Sequence, residues 1–258
     1  MPTLAFEAAT VAENYQRYLE PVLFVPWAHR LVAYAGVQAG DVVLDLAAGT
    51  GAVARIAARA GADVIATDSS ASMLEYVPAG IRTLVCPATE LDLPDGSVDV
   101  VLCQQGLQFM TDPVGALREA LRVLRPGGAV AVSVWASDER LDPFDAFAEA
   151  LQRDAAAAGS ARTISNASVA TTVHGIVDDL LSAGAADVRA TRQELAVRWP
   201  TVDSEVAGLF GTPFGPFVEA LPAERREHVL DDERVRLSSE GRTATHVTTS
   251  VLGRGVRR

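Results

Sequence analysis

Lysine is missing from this sequence: all 22 basic residues are arginine, 33 residues are acidic, and the formal net charge is −11. Without lysine the chain cannot use a lysine Schiff base, and it cannot form the phosphate-binding loop that ends in Gly-Lys-Ser/Thr. An acidic chain without a basic stripe repels a phosphate backbone. We therefore expect no nucleic-acid partner.

Cysteines and long apolar runs are also scarce. Cys86 and Cys103 are the only cysteines, too few for a disulfide framework or a zinc site, and both lie in apolar strand-like runs. No run approaches the about 18 apolar residues of a membrane span. The first 21 residues lack the basic start and apolar centre of a signal peptide. We expect a cytoplasmic protein with two buried thiols, no metal and no membrane partner.

Strand-like and helix-like stretches alternate over residues 38–136. The strand-like runs are VVLDLA, VIATDS, RTLVC, VVLCQQ and AVAVSVW, and the helix-like stretches between them are GAVARIAARAGA, SMLEYV and GALREALRVL, the last followed by an RPGG turn. VRATRQELAVRW and THVTTSVLGRGV add two further strands. Such alternation predicts parallel βαβ units. The fold class is therefore α/β, a Rossmann-like, seven-stranded, mostly parallel sheet with helices on both faces.

Four segments follow from these patterns. Residues 1–37 form a helical cap, in which Pro21 and Pro26 predict two short helices with a kinked link, ending at Gly36. Residues 38–199 form the core, with an amphipathic helix over 142–157, a loop over 160–173 and a glycine-capped helix within 176–188. Residues 200–242, rich in glycine and proline, form a helical lid inserted before the last strand, 243–258. The whole is a single domain.

The glycine-rich stretch LDLAAGTGAVA, residues 44–54, follows the first strand and opens a helix. It fits two kinds of site, a relaxed dinucleotide fingerprint or a shorter loop for a sulfonium cofactor. Asp45, at the end of the strand, opposes a pyrophosphate but favours a cofactor that carries a sulfonium and an ammonium group. The LRPGG stretch before a late strand is not explained by nucleotide binding.

Four ordered motifs, VVLDLAAGTG, VIATDSSASML, LPDGSVDVVLCQQGLQF and ALREALRVLRPGGAVAVSVW, together resemble class I S-adenosylmethionine-dependent methyltransferases of the small-molecule, ubiquinone-biosynthesis-like bacterial type. The resemblance covers residues 12–136 strongly and the C-terminal half weakly. It implies S-adenosylmethionine as cofactor, S-adenosylhomocysteine as product, and a small-molecule substrate. The chain is expected to act as a monomer or homodimer.

The resemblance also implies cofactor-binding residues. The loop passes beneath the methionine part of the cofactor, Asp45 acts through the loop or through water, and an acid takes both ribose hydroxyls. Further residues flank the ribose and adenine, face the reactive end, or close the cap. The implied set is Tyr15, Tyr18, Ala47, Gly49, Thr50, Gly51, Asp68, Ser69, Met73, Ala88, Thr89, Gln104 and Gln105.

One position departs from the family pattern. Many relatives place an aspartate just before the alanine of the adenine segment, where this chain has Pro87. Proline has no side-chain acceptor, so adenine selectivity would rest on backbone groups and packing.

Neither the general base nor the substrate can be named from the residues. His174, which begins a helix after the 160–173 loop, is the candidate for a catalytic base. Phe210, Phe214 and Phe217, with Leu209 and Leu221, either line an apolar pocket or form the lid's own core. We expect methyl transfer to a small, largely apolar metabolite in natural-product (antibiotic) biosynthesis. The alternative is cyclisation or rearrangement of a bound natural product without net methyl transfer.

Overall fold

The computed structural model describes residues 9–137, 141, 144–157, 172–239 and 245–258. A seven-stranded sheet crosses the molecule in the order β3-β2-β1-β4-β5-β7-β6. All strand pairs are parallel except the two that β7 makes with β5 and β6, so the predicted mostly parallel sheet is confirmed. The strands are β1 Val42–Leu46, β2 Asp63–Asp68, β3 Arg82–Val85, β4 Val98–Gln104, β5 Leu124–Trp135, β6 Ala186–Arg198 and β7 Thr245–Val256.

Helices cover both faces of the sheet, and each face has its own buried apolar cluster. α2, α3 and α6 pack on one face, and α5 and α7 on the other. The helices are α1 Ala9–Asn14, a π-helix Tyr15–Phe24, α2 Val25–Ala35, α3 Ala52–Arg59, α4 Ala71–Leu74, α5 Pro113–Val123, α6 Phe144–Ala157, α7 Val173–Ala183, α8 Val202–Leu209, α9 Gly215–Glu219 and α10 Ala223–Ser239, with a 3₁₀ turn at Leu107–Phe109.

The N-terminal cap is one helical run from Ala9 to Ala35. The predicted division into two short helices was wrong, because helical backbone continues through Pro21, which lies inside the π-helix. A proline has no N–H and its ring crowds the preceding turn. The wider π turn removes that conflict by bonding five residues back, as when the Val25 N–H donates to the Glu20 carbonyl. The predicted end is confirmed, since Gly36 closes α2 with φ +81°.

The start of β5 also differs from the sequence prediction. The RPGG stretch is not a separate turn but the irregular first part of β5. Pairing with β4 jumps from Val98–Leu124 to Val100–Ala129, so β5 takes up extra residues in a bulge where Gly127 has φ +82°. Glycine adopts this backbone conformation without steric cost.

The C-terminal half follows the predicted order of elements. α6 begins at Phe144, and Gly184 caps α7 with φ +100°. Of the predicted 160–173 loop, residues 160–171 lie outside the described part of the chain. Cys103 is buried and Cys86 half-buried, and both are free thiols. Within the described residues, no helix is long and apolar enough to cross a membrane.

A helical insertion, called the lid below, joins β6 to β7 and contains α8, α9 and α10. Arg198 at the end of β6 pairs with Thr245 at the start of β7, so the chain leaves and re-enters the sheet at neighbouring positions. Inside the lid Phe214 is buried, and its ring centroid lies 6.2 Å from that of Phe147 on α6. This contact fastens the lid to the core.

Candidate cofactor and substrate site

A cavity of about 780 Å³ opens at the carboxyl ends of β1, β2, β4 and β5, between the sheet, the N-terminal cap and the lid. In open α/β sheets this edge is where ligands bind, at the point where the strand order reverses. Here β1 lies between β2 and β4, and the chain crosses from one side of β1 to the other. The cavity size is within the range of small-molecule sites.

The glycine-rich loop forms the floor of this cavity. Ala47 and Gly49 line it with φ values of +56° and +55°, so the backbone turns sharply directly after β1. Gly51 caps α3 with φ +85°, and a Cβ there would lie 3.0 Å from the Val77 side chain. Small residues let the loop backbone approach both its neighbours and a ligand closely.

Asp45 lies outside the cavity and bonds to the helix that follows the glycine-rich loop. Its side chain is buried, does not line the cavity, and accepts the Ala54 N–H in the first turn of α3 at 2.8 Å. Burial raises the pKa of this carboxyl to about 8. Of the two roles that the resemblance implied, this geometry favours action through the loop.

Asp68 connects two cavity-lining segments at the end of β2. One carboxylate oxygen accepts the Gly49 N–H and the other accepts the Ser70 N–H, both at 2.8 Å. Ser70 in turn caps α4 by accepting the Met73 N–H. Burial raises the pKa of Asp68, and the backbone N–H groups of Ser70, Gly49 and Ser69 oppose this rise. The carboxyl group therefore fixes the loop and the α4 turn while it lines the cavity.

The end of β4 brings two amide side chains to the same cavity. Gln104 Nε2 donates to the Phe24 carbonyl of the cap at 2.9 Å, and Gln105 Nε2 donates to Ser250 Oγ of β7 at 2.9 Å. Gln105 has φ +52°, a left-handed conformation that is uncommon outside glycine. The next residue, Gly106, packs so closely that a Cβ there would lie 2.8 Å from Ala47 Cβ.

Most residues expected at a cofactor site meet at this cavity. Tyr15, Ala47, Gly49, Asp68, Ser69, Met73, Ala88, Thr89, Gln104 and Gln105 all line it, as does Pro87. Three expected residues do not. Thr50 is buried and its hydroxyl donates to Glu20. Gly51 is the N-cap of α3. Tyr18 lies in the N-terminal helical segment, where the Arg17 guanidinium packs over its ring.

One further expectation needs correction. His174 does not line the cavity: its side chain is 89 % exposed on α7 and lies 3.6 Å from Asp178. His174 is the second residue of α7, which packs on the opposite sheet face from the cap and α6, and this position explains why its side chain does not reach the site. For the lid phenylalanines, the structure decides between the two alternatives: Phe210, Phe214 and Phe217 do not line the cavity, and Phe214 and Phe210 pack in the apolar core. Gly211, Thr212 and Pro213 of the lid line the cavity instead.

Several lining residues were missed from the sequence. The cap contributes Leu19, Leu23 and Phe24, and Trp135 and Phe144 come from β5 and α6. A signal existed for Leu19 and Leu23, which follow Tyr15 at intervals of four residues on one helix face. No local pattern marked Gln108, whose Oε1 accepts the Trp135 N–H at 3.0 Å. In the described part of the chain, no group of three or more His, Cys, Asp or Glu is placed to hold a metal.

Comparison with known proteins agrees with this geometry. Residues 44–132 match the family described as methyltransferase domain. Over 135 residues the chain is 38 % identical to the ubiquinone/menaquinone biosynthesis C-methyltransferase UbiE of Bdellovibrio bacteriovorus, covering 47 % of this chain and 57 % of that protein. Over these residues the chain is similar to S-adenosylmethionine-dependent methyltransferases, which supports the predicted resemblance and the predicted cofactor class. The chain spans about half the length of the curated relatives it matches.

Solved structures show the same fold over nearly the whole chain. A putative methyltransferase from an antibiotic biosynthesis pathway of Anabaena variabilis superposes with a TM-score of 0.65 at 17 % identity, covering 88 % of this chain and 96 % of that one. The [4+2]-cyclase SpnF superposes with a TM-score of 0.54 at 15 % identity, covering 90 % and 81 %. At these identities the likeness concerns the fold alone.

Proposed function

We propose that this protein transfers the methyl group of S-adenosylmethionine to a small, largely apolar metabolite. The observation that carries the proposal is one continuous cavity with two unlike halves. Over β1–β3 its wall is the glycine-rich loop, Asp68 and the Cys86–Thr89 segment. Over β4 and β5 its wall combines the amide residues Gln104, Gln105 and Gln108 with apolar and aromatic residues such as Trp135, and residues of the cap and the lid also line it.

The first half fits the cofactor. The Asp68 carboxyl group, already fixed by two backbone N–H donors, suits the two hydroxyls of a ribose. The loop at Ala47–Gly49 exposes backbone where the methionine part would lie, and Met73 and Ala88 supply an apolar wall for the adenine. Pro87 lines the cavity without a side-chain acceptor. We infer that backbone groups and packing select the adenine.

The second half supports alignment of an acceptor. S-adenosylmethionine supplies an activated methyl group: the acceptor's electron pair forms the new bond, the sulfur keeps the electrons of the old C–S bond, and the acceptor's proton passes to solvent. The protein's part is to hold the two reactants in line and exclude water. Tyr15 and Phe24 both line the cavity, and their rings stack with centroids 4.6 Å apart.

We also propose a pathway type for this reaction. We infer natural-product biosynthesis from the apolar wall formed by Leu19, Leu23, Phe24, Trp135 and Phe144, which suits a metabolite with little charge. Cyclisation or rearrangement stays the second candidate, since a [4+2]-cyclase shares the fold. A cytoplasmic location and a monomeric or homodimeric state stay predictions.

Two measurements test the proposal. The first is calorimetric titration of the purified protein with S-adenosylmethionine, S-adenosylhomocysteine and, separately, NAD. Micromolar binding of the first two but not of NAD supports the cofactor assignment, and binding of NAD alone overturns it.

The second measurement follows S-adenosylhomocysteine by mass spectrometry while methyl-labelled cofactor is incubated with hydroxylated and aminated aromatic metabolites. Labelled product together with S-adenosylhomocysteine supports methyl transfer. A converted metabolite with all of the cofactor left intact supports the cyclisation alternative instead.

A further inference from the structure

The base of the lid holds a buried contact between a carboxyl group and an imidazole. Glu205 Oε1 of α8 and His246 Nε2 of β7 lie 2.5 Å apart. The Glu205 side chain has no exposed surface, and that of His246 is 9 % exposed. His246 pairs with Val197 of β6, beside the Arg198–Thr245 pair at which the chain leaves and re-enters the sheet. The contact therefore joins the first helix of the lid to the sheet.

The carboxyl group of Glu205 lacks hydrogen-bond donors. Its Oε1 is close to the imidazole but not in hydrogen-bond geometry, and its Oε2 has no donor in the described part of the chain. A carboxylate loses its hydration when it is buried, and only donors inside the protein compensate that loss. Water would supply such donors if α8 moved off the sheet. The docked position of α8 is therefore less stable, relative to an undocked one, than its apolar contacts alone would make it.

The other contacts of α8 are close and depend on its exact position. A Cβ on Gly208 would lie 2.8 Å from the Trp199 ring and 3.2 Å from the Leu19 side chain. A Cβ on Gly211, just after α8, would lie 2.6 Å from the Tyr15 backbone nitrogen. The lid thus rests directly on the N-terminal cap. Packed interfaces of this kind have discrete arrangements and do not deform continuously.

The position of α8 also sets one part of the cavity wall. The turn Gly211–Pro213 follows α8 within two residues and lines the cavity. Thr212 fixes this turn to the helix, because its hydroxyl donates to the Leu209 carbonyl at 2.5 Å and accepts the Phe214 N–H at 3.1 Å. A displacement of α8 would therefore carry the turn with it and remove it from the cavity wall.

We propose that Glu205 and His246 form a reversible latch on the lid. While the two side chains are in contact, the Gly211–Pro213 turn covers the cavity, and when the contact breaks, α8 and the turn move away and uncover it. A polar contact suits this role, because water compensates both groups when it breaks, whereas well-packed apolar side chains in the same place would hold the lid more firmly. The inference goes beyond the proposed function, since it concerns access to the cavity and not the reaction.

Hydrogen exchange of the full-length protein, followed by mass spectrometry, tests the latch, because exchange reports local opening. The segments compared are residues 202–213 of the lid and α5 on the opposite face of the sheet. His246→Leu leaves the buried carboxylate without its imidazole partner, so exchange over 202–213 should rise at least about tenfold while α5 is unchanged. Glu205→Met/His246→Leu, with two apolar side chains, should return exchange over 202–213 to the wild-type rate or below it.

Arg236→Met is the matched control. It removes the partner of another buried lid carboxylate, that of Glu233, whose side chain is 2 % exposed and lies 2.5 Å from the Arg236 guanidinium. Both residues are on α10, so this pair does not join the lid to the sheet. Exchange should rise within α10 and stay within about twofold of wild type over residues 202–213.

Three results would overturn the latch. The first is unchanged exchange over residues 202–213 in His246→Leu. The second is a double variant that exchanges there as fast as His246→Leu, which would show that loss of the imidazole, not an unpartnered carboxylate, loosens the lid. The third is an equal rise in α5 or in Arg236→Met, which would show general destabilisation of the protein or of the lid.

Discussion

Replacing Asp68 by alanine removes the carboxylate that joins the glycine-rich loop to the α4 turn. In the wild type its two oxygens accept the Gly49 and Ser70 N–H groups at 2.8 Å each. Hydrogen bonds to a charged group contribute roughly 1.5–3 kcal/mol each. In the proposed complex the same oxygens also serve the ribose, and compensation by water reduces the net loss. We expect binding of S-adenosylhomocysteine to weaken by about 1–3 kcal/mol, or roughly 5- to 150-fold in Kd.

Calorimetry of wild type and Asp68→Ala gives this ratio directly, and urea unfolding of the same samples reports whether the variant is folded. Asp41→Ala is the matched control, because Asp41 also accepts a backbone N–H, that of Gln38 at 2.7 Å, but lies in a turn outside the cavity. An unchanged Kd in Asp68→Ala would refute the ribose assignment. An equal loss in Asp41→Ala would show that general destabilisation, not the ribose contact, causes the effect.

Three further changes probe other parts of the site. Glu20→Gln breaks a mostly buried ion pair between Glu20 in the N-terminal cap and Arg55 in α3. The free energy of unfolding should therefore fall by about 1–3 kcal/mol. An unchanged midpoint of urea unfolding would contradict this prediction. Since burial raises the pKa of Asp45 to about 8, its folded form holds a proton that the unfolded form has lost above about pH 4. The free energy of unfolding should therefore fall as pH rises from 5 to 8, by up to about 1.4 kcal/mol per pH unit. Asp45→Asn should make this pH dependence weaker. Equal pH dependence in the wild type and Asp45→Asn would contradict the role assigned to Asp45. Burial raises the pKa of Cys103 to about 12, whereas Cys86 is half-buried in the cavity wall. Iodoacetamide should thus modify Cys86 alone, more slowly with S-adenosylhomocysteine present, as peptide mass mapping would show; early labelling of Cys103 would disagree.

The sheet, and the meeting of the β1–β4 residues at one cavity, could be predicted from the sequence because both depend on local patterns. Buried parallel strands are continuous apolar runs, and their carboxyl ends converge at one edge. Gly49, Asp68, Ala88 and Gln104 each follow such a run closely, so their meeting in one cavity follows from strand order alone.

The other cavity-lining residues could not be predicted, because their positions depend on contacts between segments that are distant in the sequence. Phe24 and Phe144 reach the cavity because the cap and α6 pack on the same face of the sheet. Pro21 suggested a break, since nothing in the sequence indicated that a π turn would absorb it. Phe214 packs against Phe147 and does not line the cavity. The sequence alone does not distinguish a position in the core from a position in the cavity wall, because both are apolar.

The pairing of Arg198 with Thr245 has an evolutionary consequence. Residues 199–244 begin and end at adjacent points of one hairpin, so this segment can be lengthened, shortened or exchanged without changing the register of any strand. Loop-closure entropy rises only slowly with length, so such exchange has a small thermodynamic cost. Gly211, Thr212 and Pro213 of this segment form part of the cavity wall. A replacement of the segment would therefore change the shape of the cavity without changing the sheet. Such a change of length or sequence would alter the cavity wall and leave the β1–β3 part proposed to hold the cofactor unchanged.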